Sequence, residues 1–276
     1  MQINSVNSYT QYSPIFGINL QSKKLRFKES DFYVRIKGYG QHSGWAKKIK
    51  ETADKTVNYI REKCNFEETL RWITKGVTEA NRLLTEDNDK VAHTGILRTK
   101  RAGWRFGSDW GDDLITVYSK KNRYKNYADR LDYIVKHPLK NPFRLELTRP
   151  KHDKDFGKYL EHGSGRYVNT AFYYINKIYE SLYNKYIARE VKNENLPDVN
   201  GSIAEIRWIL AHTMPWERGS DAISNTFIRS IYKAMGIKTY PLKKGVSLDM
   251  EAFCTNLNEY KMKFSDYFSK KPKIVD

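Results

Sequence analysis

Arg218, Gly219 and Ser220 stand in the run Met214-Pro215-Trp216-Glu217-Arg218-Gly219-Ser220-Asp221-Ala222-Ile223, and their types and order suit the capture of an anion. A guanidinium is a planar fork that matches a phosphate or carboxylate. Glycine lets a backbone come close to a ligand, and a serine hydroxyl can cap a helix or donate a hydrogen bond. The same residues also read as a plain connection, with Pro215 ending one helix, Ser220 capping the next and Arg218 a solvated surface charge.

The elements that would position these residues are helices. Upstream, Ile203, Ile206, Ile209 and Leu210 recur at helical spacing around Trp208. Downstream, Ala222, Ile223, Phe227, Ile231, Ala234 and Met235 do the same before Gly236, which suits a C-terminal cap. The motif is thus a short loop feeding a helix N-terminus, where unpaired N–H groups and the positive dipole end favour negative charge. Further helices are expected over Ser43–Cys64, over Glu67–Leu84 and over 167–191, with a loop at Asn193–Asn200. Strands or a hairpin are expected at Ile15–Leu20, Leu25–Phe27 and Phe32–Ile36, and single strands at Leu114–Tyr118 and Phe143–Leu147. The fold class is mainly α with a smaller α+β portion.

The motif resembles the Fido superfamily, which joins the Fic, Doc and AvrB proteins. Pro215, Trp216, Gly219 and Ser220 fall on the Pro, Phe, Gly and Asn of the Fic motif. Met214 stands where Fic has its catalytic histidine, and Arg218 where it has its metal-binding acid. The AvrB branch shares both departures. Ile203–Trp208 is similar to the AvrB helix leading into the motif, and Val246–Phe253 to its C-terminal segment with one residue inserted. The likeness spans roughly 165–268. It implies a Fic-like helical core and a bacterial effector that binds a nucleotide or nucleotide sugar and modifies a host protein.

Methionine cannot accept a proton and arginine cannot hold Mg²⁺, so the departures argue against adenylylation. Arg218 can neutralise a diphosphate directly, which points to metal-independent glycosyl transfer with no separate cofactor. Asp249 matches the family's pocket carboxylate, the candidate catalytic residue, suited to orienting a sugar hydroxyl or acting as base. Tyr167 falls near the family's pocket histidine, with Arg166 its rival for that place. The resemblance further implies secretion into a host cell and an action in host cytosol. Its rivals are a non-enzymatic host-protein binder on the same scaffold and a basic nucleic-acid binder.

Composition bounds these readings. The chain has 276 residues, 39% hydrophobic and 14% aromatic, enough for one large globular domain, expected over 15–276 with 92–155 a candidate inserted lobe. No apolar run reaches membrane-spanning length. Residues 1–14 are polar and read as a disordered tail resembling a type III secretion signal, and Gln2 excludes a myristoylation site. Two cysteines are too few for a disulfide framework.

Lys+Arg 49 against Asp+Glu 32 gives a net charge of +17. The region 98–151 is especially basic and interleaved with aromatics, and Lys100, Arg101, Arg105, Lys120, Lys121, Arg123 and Lys125 could recruit an acidic host partner. No nucleic-acid-binding signature accompanies that charge, so nucleic acid is a secondary reading. His-Glu-x-x-His, Walker and Gly-x-Ser-x-Gly patterns are absent, and no metal site is expected. Gly163-Ser164-Gly165-Arg166 reads as an ordinary turn, Cys254 as a packed residue and His212 as a core-edge histidine that could alternatively serve as base.

Overall fold

The computed structural model describes residues 25–33, 35, 42–63, 66–84, 91–99, 125–154 and 157–275. Helix dominates, as the periodicity predicts. Helix α1 (Ser43–Lys63) buries Ile49, Ala53, Val57 and Ile60, and α2 (Phe66–Asn81) buries Leu70, Ile73, Val77 and Ala80. These stripes face each other, and Gly76 lies so close to Thr52 that an added Cβ would sit 2.2 Å from its hydroxyl. The short helix α3 (Lys125–Lys136) packs on a two-stranded antiparallel sheet, β1 (Arg149–Asp153) and β2 (Gly157–Glu161), with Arg149 opposite Glu161.

Helix α4 (Val168–Leu182) runs on as one π turn through Ile187. It packs on α5 (Leu196–Thr213), which also contacts α6 (Ser220–Ala234), α7 (Leu248–Phe253) and α8 (Leu257–Lys263). Helix α5 is therefore the axis of the fold. Val199, Ile203, Ile206, Trp208, Ile209 and Leu210 are all buried, so apolar contacts cover most of its circumference, although Asp198 stays exposed and Arg207 is buried. Phe66, Phe172, Tyr179 and Phe227 knit α2, α4 and α6 together through ring contacts of 5.6–6.0 Å. Strand β3 (Ile237–Lys238) pairs with β4 (Lys273–Ile274) and closes the C-terminal end.

Several expectations need correction. Phe143–Leu147 is irregular, and the strand begins only at Arg149; the β-rich composition of Phe-Arg-Leu-Glu-Leu instead packs Phe143 and Leu145 individually against the core. Leu25–Phe27 is extended without a strand partner among the described residues, and Glu29–Phe32 is a 3-10 turn held by the Asp31 carboxylate on the Lys28 N–H. The expected loop at 193–200 is mostly helix, because Pro197 in the first turn of α5 suits a helix start. The strands expected at Ile15–Leu20 and Leu114–Tyr118, the 1–14 tail and most of the basic middle segment lie outside the described residues. Gly236 does close α6, with φ 77°. No described helix is long and apolar enough to cross a membrane.

Gly219 enters α6 with φ 83°, and a Cβ there would lie 3.1 Å from Thr94 Cγ2. Gly219→Ala should therefore cost about 1–2 kcal/mol of stability and lower Tm by about 2–4 °C per kcal/mol. Thermal unfolding followed by circular dichroism checks it; an unchanged Tm would contradict the left-handed entry.

Candidate functional site

The loop between α5 and α6 is fixed by a strap, residues 91–99, laid along it. The Arg98 N–H donates to Pro215 C=O at 2.9 Å, Glu217 N–H to Ile96 C=O at 2.8 Å and Gly95 N–H to Arg218 C=O at 3.1 Å. The Arg98 side chain, 4% exposed, reaches under the loop and donates to the carbonyls of Thr213, Met214 and Gly163. It thus neutralises the C-terminal end of α5, where carbonyls lack partners and the dipole is negative. Burial pushes its pKa down to about 10. Ser164 and Gly165 follow Gly163, and Gly165 lies so close to the strap that an added Cβ would meet Arg98 C=O at 2.4 Å. Arg98 therefore gathers the motif loop and the 163–167 turn at one place.

Met214 is the C-cap of α5 and, among the described residues, the one non-glycine with positive φ, at 43°. Glycine usually fills such a cap, so this backbone is strained. Trp216 is buried against Phe172 at 6.0 Å. Ser220 is the first helical residue rather than the cap, since Gly219 occupies the cap and has no side chain. Its hydroxyl accepts from Trp216 N–H at 3.2 Å and donates to Trp216 C=O at 3.1 Å, which closes the loop on itself. At the outer edge of the loop, Glu217 engages His93 of the strap.

In the first turn of α6, a charged cluster begins that fills the space between α5, α6 and α7. Arg207 is fully buried. Its Nη1 donates to Asp249 Oδ1 at 2.6 Å, its Nη2 to Asp221 Oδ1, and its Nε to Asn225 Oδ1 at 3.1 Å. Asn225 in turn donates to both Asp221 oxygens at 3.1 Å. Burial raises the Asp221 pKa, and the neighbouring Asp249 carboxylate, to which it hydrogen-bonds, raises it further; Arg207 opposes both. Two acids and one arginine thus share a site best served by one negative charge and one proton. Asp221 keeps 26% side-chain exposure and Asp249 13%, so the pair opens to solvent on one side.

The structure thus sets Arg218, Gly219 and Ser220 at the head of the helix that carries Asp221, and links Asp249 to that helix through Arg207. Arg166 and Tyr167 form their own pair at the head of α4. The guanidinium lies over the ring at 4.8 Å and donates to the phenol oxygen at 2.8 Å. His212 is fully buried, its Nε2 on Ala252 C=O at 3.1 Å, and burial lowers its pKa to about 3. It is a core histidine. Cys254 is buried, as expected, and its thiol is pushed up to about 12 by burial. Among the described residues no group of acids, histidines and cysteines could hold a metal.

Sequence reasoning missed Arg98, Arg207, Asp221 and Asn225. Arg207 had a readable signal: it is the one basic residue in the apolar run 206–211, which demands buried anions elsewhere. Arg98 had none, because its role depends on a fold-back across more than a hundred residues.

The AvrB_AvrC avirulence protein family matches residues 130–271, just over half of the chain. The match takes in the motif loop, the Arg207 cluster and Asp249, and the chain belongs to this family. No curated protein matches it.

Two outcomes test the cluster. Arg207→Met should cost about 3–5 kcal/mol, because it strands buried carboxyl groups without their counter-charge. Asp221 is protonated more readily folded than unfolded, so its contribution is complete below about pH 4 and fades as pH rises towards about 7. Asp221→Asn should therefore lose less stability than wild type across that window. Urea midpoints measured at a series of pH values decide this; parallel profiles would sink the shared-proton arrangement.

Proposed function

We propose that this avirulence effector acts in host cells by binding the diphosphate of a nucleotide sugar at the head of α6 and transferring the sugar to a host protein, without a metal. The observation that supports it best is the uncapped start of α6. Gly219 turns the chain in by its left-handed backbone and offers no side-chain cap, so the first N–H groups of α6 remain for an anion, with Arg218 beside them. The acids nearby do not cancel this attraction. With Asp221 protonated, Arg207 and Asp249 compensate each other, and the dipole and Arg218 supply the remaining positive field.

In such a transfer the acceptor hydroxyl attacks the anomeric carbon. The bond from that carbon to the diphosphate breaks, and the diphosphate leaves with the electron pair, its developing charge met by Arg218 and the α6 N–H groups. The hydroxyl proton needs an acceptor, and we assign that role to Asp249, whose carboxylate Arg207 holds in orientation. Arg166 and Tyr167, a flat cationic–aromatic pair, suit stacking against a nucleotide base. Met214 cannot accept a proton and His212 is enclosed, so neither can serve as the base that the Fic histidine provides for adenylylation.

The rival is a non-enzymatic host-protein binder on the same scaffold, and the closed Trp216–Ser220 hydrogen bonds favour it, since they show a loop complete without a ligand. Titration with nucleoside diphosphates separates the two. Arg218→Ala should weaken diphosphate binding by about 1.5–3 kcal/mol while leaving the fold intact; equal affinity would defeat the anion-loop reading. Asp249→Asn should keep diphosphate binding and abolish sugar transfer from a nucleotide-sugar panel. Wild-type protein should transfer no labelled AMP from ATP with Mg²⁺, and robust labelling would overturn the assignment.

A further inference from the structure

Helix α6 spans 15 residues, so its C-terminal end lies about 22 Å from the motif loop. Two adjoining cavities open there, between α1, the end of α6 and segment 25–31. The larger, about 430 Å³, is lined by Arg26, Lys50, Asp54, Arg61 and Lys233 among others. The smaller, about 260 Å³, adds Lys28, Asp31, Lys238 and Tyr240, and the two share Leu25, Arg26 and Lys233.

Six cations thus face two acids. Asp54 is shared between Lys50 and Lys233, and buried Asp31 accepts from the Lys28 N–H. Capping the α6 carbonyls accounts for one cation only: Arg61 donates to Lys233 C=O and Ala234 C=O at 3.1–3.2 Å. The others crowd one another at a cost. Lys238 stands directly opposite Lys273 across the β3–β4 pair, a destabilising register for like charges. Lys238 and Lys270 both lie over the Tyr240 ring, at 5.4 and 5.9 Å, a contact that favours each cation singly. Lys233 is 8% exposed, with its ammonium held below the usual range chiefly by burial. A bound anion would offset the repulsion that Lys50 and Arg61 exert on the Lys233 ammonium.

We propose that the joined cavities bind a small organic polyphosphate, with Arg26, Lys50 and Lys233 holding one phosphate and Lys28 and Lys238 another. Volumes of this order match small-molecule sites, roughly 300–1,000 Å³, and are too confined for a nucleic-acid duplex. The apolar wall of the smaller cavity, from Leu25, Phe27 and Ile237, suits the carbon skeleton between the phosphates. This site does not depend on the motif loop.

The test uses full-length protein carrying Arg218→Ala, so that an anion site at the head of α6 is weakened and the cavity variants are compared in that background. Inositol trisphosphate and tripolyphosphate are titrated calorimetrically, and the protein is sedimented with phosphatidylcholine vesicles with or without phosphatidylinositol bisphosphate. Both soluble probes should bind, and adding Arg26→Gln with Lys50→Gln should weaken them on the order of tenfold per cation removed. Arg26 is exposed and Lys50 half-buried, and an unchanged circular dichroism melt confirms that the variant folds. Selective sedimentation with the bisphosphate vesicles would identify a lipid headgroup as the ligand's source, and soluble binding alone a free polyphosphate. Undetectable binding of both probes to the Arg218→Ala protein, or equal binding by the triple variant, overturns the proposal.

Discussion

Arg207 carries a full positive charge at 0% exposure, and three elements must come together to make that tolerable. Helix α6 supplies Asp221 and Asn225, α7 supplies Asp249, and α5 presents the guanidinium between them. An unpaired buried guanidinium would be prohibitive, and even a paired one gains little over an apolar core of equal volume. Its value is in specification. Planar donors accept only one arrangement of the two acids, so the angle between α6 and α7 follows from their hydrogen bonds rather than from apolar packing alone. Aspartate 249, on a helix of only six residues, depends on that anchor for its position.

The second constraint sits at the C-terminal end of α5, beyond Arg207. Its last carbonyls need donors, and Arg98 meets two of them with one side chain while its own N–H takes the next. The chain can then reverse between Thr213 and Ser220 with Met214 in the left-handed region. Here the corner is strained, half-buried and apolar, and the first charged side chain of α6 is Asp221, one of the acids that flank Arg207.

Much of this was legible beforehand because α5 and α6 state their periods without ambiguity: apolar residues every three or four positions, a proline-glycine loop between them, and Gly236 at the end. The same reasoning reached α1 and α2 to within a few residues. It failed at Phe143–Leu147, where alternation normally means a strand, because these side chains fill gaps beside α4 and α5 while the pairing partner of β1 starts later. Candidate residues were legible when they lay within the motif or its likeness, as Arg218 and Asp249 did. Their electrostatic context was not, since the Arg207–Asp249 bond joins positions 42 apart and the Arg98–Met214 bond positions 116 apart. Local pattern carries no information on such distances.

The strap belongs to the stretch of chain that precedes the family match, yet it supplies the hydrogen bonds that shape the most recognisable loop inside that match. Recognisable ancestry and physical self-sufficiency therefore have different boundaries in this protein. An excised 130–271 fragment would keep every signature residue and lose the cation that terminates α5, together with the α1–α2 face against which α6 packs. The conserved-looking half is a part, and the unit that folds is larger than the unit that can be recognised.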